Sequence, residues 1–324
     1  MNIMMIDMRV FNIECRVVDL SLKLHPGREE RRLEIRRFIY IAGEHMHNID
    51  TMSHIGTHVE CPSHYVNARY GVNGADVSGI PVETFLGEAV FIDLSHKSTR
   101  EPVTVEDFEK AGVSGGDIVL IGNSRFKGEE SPYISPEAAK WLAEKKVKMV
   151  GVDDSVQVEA PGNTGSLELM ATHDYLLSNN IPIIERLCNL NSLKKRRFLF
   201  VGLPVNIVGL DSFPMKRLRI VVIGNSRFKG EESPYISPEA AKWLAEKKVK
   251  MVGVDDSVQV EAPGNTGSLE LMATHDYLLS NNIPIIERLC NLNSLKKRRF
   301  LFVGLPVNIV GLDSFPIRAV ALEP

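Results

Sequence analysis

Cysteine is scarce in this chain, and it has no long apolar run, no excess of one charge and no serine elbow. The four cysteines are Cys15, Cys61, Cys188 and Cys290. Their spacing matches neither a zinc knuckle nor a disulfide framework, which fits a reducing, cytoplasmic setting. Near the start, Asp7, Arg9 and Glu14 interrupt the apolar residues. Neither a signal peptide nor a membrane span is therefore expected. The net charge is −3, with both signs interspersed, so no electrostatic footprint for nucleic acid is present. The basic runs Lys194-Lys195-Arg196-Arg197 and Lys296-Lys297-Arg298-Arg299 read as solvated loop rather than as a phosphate-binding patch. No G-x-S-x-G occurs. Gly165-Ser166 and Gly122-Asn123-Ser124 lack its context, which leaves a serine-nucleophile route without support.

What the chain does have is a long internal repeat. Residues 121–214 recur letter for letter as 223–316, an identical block of 94 residues at an offset of 102. Solenoids show many short, diverged units, and this is a single undrifted copy. Without one period, 222 residues remain, a comfortable length for one domain. The expected organisation is a complete domain over 1–214, a junction over 215–222 and a surplus copy of the C-terminal half over 223–324. The surplus half contains no copy of the histidine cluster described next, so it cannot form a second complete site.

That cluster is His54-Ile55-Gly56-Thr57-His58-Val59-Glu60-Cys61-Pro62-Ser63-His64. Its donors fall at even positions, and alternate residues of an extended strand share a face. One strand would then aim His54, His58, Glu60 and His64 into one cavity. Gly56, Thr57, Val59 and Pro62 argue against a helix here. Imidazole and carboxylate together suit zinc, manganese or iron. His64 has two readings, as a ligand or as a general acid or base, because imidazole titrates near neutral pH. Cys61 sits at an odd position and reads as a buried structural thiol.

Coarse patterning gives an α/β chain of alternating elements. Strands are expected near 14–20, 34–42, 88–94, 117–122, 148–153, 182–187 and 198–203. Thr104 opens one helix that stops near Gly112, and Ser135-Pro136-Glu137 opens another running to about Lys146. A third, over about 169–178, would bury Leu176 and Leu177 and lean His173 inward. Pro182 suits an edge strand or a first strand position. Glu185 lies in an apolar run, where a carboxylate is costly to bury unless paired or coordinated; a surface pair with Arg186 is the other reading. Asp153 and Asp154 read as turn residues or as supports for a ligating histidine. Tyr65 and Tyr70 read as ordinary packing or as pocket lining.

The run H-x-G-T-H-x-[DE]-x-P-x-H resembles the signature of the cyclase-like metal-dependent hydrolases, the family of bacterial kynurenine formamidase (arylformamidase) and isatin hydrolase. Val18-Asp19-Leu20-Ser21 with His25-Pro26-Gly27, then Phe91–His96 and Gly116–Leu120, are similar to further family segments. So is His173–Leu177 with Ile181–Leu187. One departure is Glu60, where the formamidases usually carry Asp. The resemblance implies a swivelling β/β/α single domain of mixed strands with flanking helices, in a homo-oligomer. It implies His54, His58, Glu60, His173 and Glu185 as ligands of one or two ions, zinc foremost and manganese as the alternative, with Glu60 as bridge. His64 is then the proton shuttle. The implied reaction is hydrolysis of a small amide through a metal-bound hydroxide, N-formylkynurenine to kynurenine and formate in tryptophan catabolism. A related cyclic amide or ester substrate, or metal binding without turnover, are the alternatives.

His275 and Glu287 copy His173 and Glu185, and only one pair can complete the site at a time. Copy one follows directly, whereas using copy two loops out 102 residues, at on the order of 4 kcal/mol in closure entropy. Copy two alone is followed by Ile317–Leu322, which resembles the family's closing strand. Leu218–Ile223 after copy one is the expected substitute.

Overall fold

Ile118-Val119-Leu120-Ile121 is buried throughout, and its two alternating faces organise the molecule. Ile118 and Leu120 enter one apolar cluster, Val119 and Ile121 the other. This is what a strand covered on both sides requires. The computed structural model describes residues 4–8, 13–40, 43–209, 211–214, 221–228, 230–265 and 271–323.

Two antiparallel hairpins come first, β1 (Met4–Met8) with β2 (Ile13–Val17) and β3 (Leu33–Ile39) with β4 (His45–Thr51). Then follow β5 (His58–Glu60), α1 (Pro62–Tyr70), β6 (Leu86–Asp93), β7 (Pro102–Val103), α2 (Val105–Ala111) and β8 (Ile118–Gly122). The first copy continues through β9 (Tyr133–Ile134), α3 (Pro136–Lys145), β10 (Met149–Asp153) and α4 (Ala171–Leu177). It closes with β11 (Ile183–Leu187), β12 (Arg197–Val201) and β13 (Ser212–Pro214). A seven-stranded mixed sheet runs in the order β12-β6-β8-β10-β11-β5-β13. Its middle pairs are parallel, while β12, β5 and β13 join antiparallel. Phe108, Leu142, Leu176 and Leu177 cover one face; Val59, Phe85, Met149 and Ile184 belong to the core on the other.

Local chemistry sets the helix ends. Thr104 and Asp107 form a reciprocal capping box on α2, which stops at Gly112 with φ 75°. The Ser135 hydroxyl accepts from the Ala138 N–H at 3.1 Å, with Pro136 in the first turn of α3. α4 is shorter than expected, because Leu167–Leu169 form a separate 3-10 turn. Pro182 immediately precedes β11, which is an inner strand, so its position is that of a strand start rather than an edge. Among the described residues no helix is long and apolar enough to cross a membrane.

The expectation of one extended strand over 54–64 fails at both ends. Only His58–Glu60 is strand. Gly56, at φ 57°, turns the chain before it, and Pro62 opens α1 after it. Proline's fixed φ suits the first helical position, so Pro62 nucleates the helix that it was expected to exclude.

The second copy repeats part of the first. β14 (Val221–Ile223), α5 (Pro238–Glu246), β15 (Val252–Asp255), α6 (Ala273–Ser280) and β16 (Ile285–Leu289) build a three-stranded parallel sheet. Its own core includes Leu244, Val252, Val254, Leu278 and Ile283. Val221–Ile223 thus opens the second sheet and does not serve as a closing strand for the first. Junction residues 215–220 lie outside the described residues.

The expected surplus half, 223–324, does not stay in one piece. β17 (Leu301–Leu305) pairs with β18 (Arg318–Leu322), and Val303 is buried in the same cluster as Phe85 and Leu203. The Leu24 N–H donates to the Asn308 carbonyl at 2.8 Å, and the Val310 N–H to the Leu24 carbonyl at 2.9 Å. The second copy's tail therefore packs on the first unit. The apolar stretch 318–322, unique to that tail, supplies the pairing strand.

Candidate metal centre

β5 is only three residues long, yet it fixes the centre. His58 and Glu60 share one face by the strand period, and Val59 is buried on the other, in the core. Thr57 ties the strand down. Its hydroxyl donates to the Arg186 carbonyl at 2.6 Å and accepts from the Leu22 N–H at 2.9 Å. The turn at Gly56 lets His54 fold back, so that its Nδ1 lies 2.9 Å from Glu60 Oε1. His64, the third residue of α1, sets Nε2 at 3.7 Å from the same oxygen. α4 brings His173 Nε2 to 3.3 Å from Glu60 Oε2. β11 pairs Glu185 directly opposite His58, with Oε2 3.7 Å from His58 Nε2. Next to Glu185 the β10–β11 register shifts between Gly151 and Asp153, and Arg186 adopts φ 60°. Such bulges re-aim side chains beside functional sites.

The Glu60 carboxylate is the hub. His54, Glu60 and His64 form one group whose ligand atoms lie within 4.8 Å of one another, and His58, Glu60 and Glu185 form a second. Both groups contain Glu60. His58 Nδ1 lies 2.9 Å from the Gly56 carbonyl. That contact requires the proton on Nδ1, which in a neutral ring puts the lone pair on Nε2. His58 Nε2 is buried without a hydrogen-bond partner, and Glu60 Oε2 faces the His173 ring at 3.3 Å. An unpaired buried acceptor costs about 1–3 kcal/mol, and one facing a cluster of imidazole and carboxylate suits a bound cation. The donor types are those of zinc or manganese.

Charge follows the same geometry. Burial alone would lower the pKa of His54, but Asp211 and Glu60 outweigh it and push it up to about 9. Burial opposes protonation of His173 too, and Glu159 and Glu60 raise it to about 9. Burial would raise Glu60, yet His173, His54 and His58 hold its carboxyl well below the usual range. Glu185 is raised, first by burial and then by the Glu60 charge.

The structure gathers His54, His58, Glu60, His64, His173 and Glu185 around one point. It does not bring the alternative pair there. His275 Nδ1 meets Glu261 at 2.9 Å, and Glu287 is exposed on β16, which pairs with β15. Asp153 ends β10, and its carboxylate holds the turn that follows, accepting from Ser155 N–H and Oγ and from the Asn123 N–H. Asp154 pairs with Arg186 at 3.2 Å, so Arg186 is not the partner of Glu185. Tyr65 is core packing, its hydroxyl donating to the Leu167 carbonyl at 2.8 Å. Tyr70 is exposed and donates to Asp174. Cys61 is fully buried, which pushes its thiol up to about 12 and makes it inert.

Sequence reasoning missed two carboxylates. Glu159 Oε1 lies 2.8 Å from His173 Nδ1 and accepts its backbone N–H at 2.8 Å. This holds the His173 ring with Nε2 toward Glu60, the usual support for a ligating histidine. A buried acid just before Ala160-Pro161 was the one available signal. Asp211 Oδ2 lies 3.3 Å from His54 Nε2 and 3.4 Å from His64 Nδ1. Nothing in its sequence context links it to the histidines.

Residues 18–159 match the family model described as putative cyclase. A kynurenine formamidase of Bacillus cereus is 29% identical over 171 residues, spanning 51% of this chain and 76% of the relative. A kynurenine formamidase of Bacillus mycoides is 28% identical over the same shares. Among solved structures, isatin hydrolase A from Labrenzia aggregata, bound to benzyl benzoate, is similar with a TM-score of 0.51. That likeness has 22% identity and covers 61% of this chain and 90% of that one.

Proposed function

From the match of residues 18–159 to the putative cyclase family model, we propose that the chain is a metal-dependent hydrolase of a small non-peptide amide. N-formylkynurenine is the first substrate to try, since the curated relatives are kynurenine formamidases. Related cyclic amides and esters come next. The observation that carries the reading is the convergence of six donor residues on the Glu60 carboxylate, with His58 Nε2 buried among them without a hydrogen-bond partner.

His54, His58, Glu60, His173 and Glu185 would hold the cation, with zinc the first choice and manganese the second. When bound, the cation supplies Lewis acidity, which lowers the pKa of water from about 15.7 toward about 7. The chain's own residues do the rest. Glu60 is kept ionised by its imidazole neighbours and supplies the negative charge the cation needs. Glu159 fixes the ring of His173, and the Gly56 carbonyl fixes the ring of His58. His64, side chain about 30% exposed, stands on the open side of the cluster. It would hand a proton to the leaving nitrogen.

The test is direct. The full chain should purify with zinc or manganese, lose it to a chelator, and release formate from N-formylkynurenine only when metal is restored. A fully metallated protein inert toward amides and esters would leave a metal-binding protein without turnover.

A further inference from the structure

Asp211 stands immediately before β13, and that strand explains why it is at the centre. β13 pairs antiparallel with β5, Ser212 opposite Glu60. The Cys61 N–H donates to the Asp211 carbonyl at 2.9 Å. The side chain is therefore delivered beside the turn that joins β5 to α1. Ser53 Oγ donates to Oδ1 at 3.2 Å, which leaves Oδ2 for the imidazoles. His54 and His64 lie between two carboxylates, Asp211 outside and Glu60 inside, with ring centroids 4.3 Å apart. For each ring, the nitrogen that does not face Asp211 faces Glu60.

We propose that Asp211 is a positioning residue, whose Oδ2 accepts the Nδ1–H of His64 and so makes Nε2 the nitrogen that exchanges a proton with substrate. An imidazole bound only at its edge by one helix turn can rotate and can carry its proton on either nitrogen. A carboxylate on Nδ1 removes both freedoms. The proposal rests on the hydrolase reading, and it assigns a role to a residue far from the histidine motif in sequence.

The duplication supplies a matched control. Asp313 has the same flanking residues as Asp211, because 223–316 repeats 121–214. Yet its Oδ1 lies 3.0 Å from His47 Nδ1, on the β3–β4 hairpin. Identical truncations at the two positions therefore set loss of the His54, His64 and Ser53 contacts against loss of the His47 and Ser314 contacts.

The experiment uses the zinc-loaded full chain and the Asp211→Ala, Asp313→Ala and Ser53→Ala variants. Zinc per chain, kcat and KM toward N-formylkynurenine are measured, with the His64 tautomer read by long-range 15N–1H correlation. Asp211→Ala should keep its zinc and its KM, lose about 10–100-fold in kcat, and shift His64 away from the pure Nδ1–H form. Ser53→Ala, which only loosens Oδ1, should lose less, and it serves if Asp211→Ala does not fold. Asp313→Ala should match wild type. Wild-type kcat in Asp211→Ala overturns the proposal, as does loss of zinc, which would make Asp211 a ligand instead. A loss carried by Asp313→Ala would also overturn it. If the zinc-loaded wild type is inert, the hydrolase reading fails, and the tautomer alone decides. An Nδ1–H form that depends on Asp211 supports the positioning role, and an unchanged tautomer sinks it.

Discussion

At the scale of single residues, Glu60 concentrates the charge of the centre, since four imidazoles approach its two oxygens. Glu60→Gln keeps the shape and removes the charge. It should abolish stoichiometric zinc, measured by elemental analysis after dialysis, and a variant that kept its zinc would deny Glu60 the hub role. The raised imidazoles predict a second behaviour. In the metal-free protein His54 and His173 hold a proton up to about pH 9, well above their ordinary 6.5. A protonated ring nitrogen cannot ligate, so binding must expel these protons. Apparent zinc affinity should therefore rise as pH rises from 6.5 to 9 and level off above it. The slope should be about one decade per pH unit for each proton displaced. Competition titrations against a chelator at several pH values would show it, and a flat profile would contradict it. His54, His58, Glu60 and His64 were legible because they crowd into one short segment. Glu159 and Asp211 were not, because tertiary return alone brings them to His173 and His64.

At the scale of elements, the donors were legible but their vehicle was not. Even spacing pointed to one strand, and the chain uses a turn, a three-residue strand and a helix. Period-two logic survives for His58 and Glu60 alone. The parallel strands β6, β8, β10 and β11 were readable as apolar runs. β13 was not, because three residues ending in a proline carry no pattern until β5 offers an edge. Gly56 marks where the strand expectation broke. A Cβ there would lie 2.5 Å from Leu24 Cδ2, at a φ of 57° that L side chains rarely adopt. Gly56→Ala should cost about 1–2 kcal/mol for the backbone alone, and more from the overlap with the buried Leu24. Urea unfolding of the metal-free protein would measure it. A variant as stable as wild type would mean that this turn does not fix the entry of β5.

At the scale of the whole molecule, one sequence of 94 residues occurs twice in different surroundings. Leu177 is fully buried in the first copy, while its counterpart Leu279 is 53% exposed. His173 is 5% exposed and reaches Glu60, whereas His275 meets Glu261. Local sequence cannot choose between the copies, because it is the same in both. Connectivity can: β5 pairs on both edges with strands of copy one, and replacing copy one by copy two means looping out 102 residues so that residue 223 takes the place next to residue 120. That closure costs on the order of 4 kcal/mol, so the exchanged arrangement should be populated at about one part in a thousand. His173→Ala should consequently retain about a thousandth of wild-type kcat, contributed by His275, with His275→Ala alone unchanged. Adding His275→Ala to His173→Ala should remove that remainder. Single-turnover assays at high enzyme concentration reach this range. A remainder above a few per cent would mean that the halves exchange freely. A single variant as inactive as the double would mean that the second copy never reaches β5, and that its tail, docked through Leu24 and Val303, holds it away.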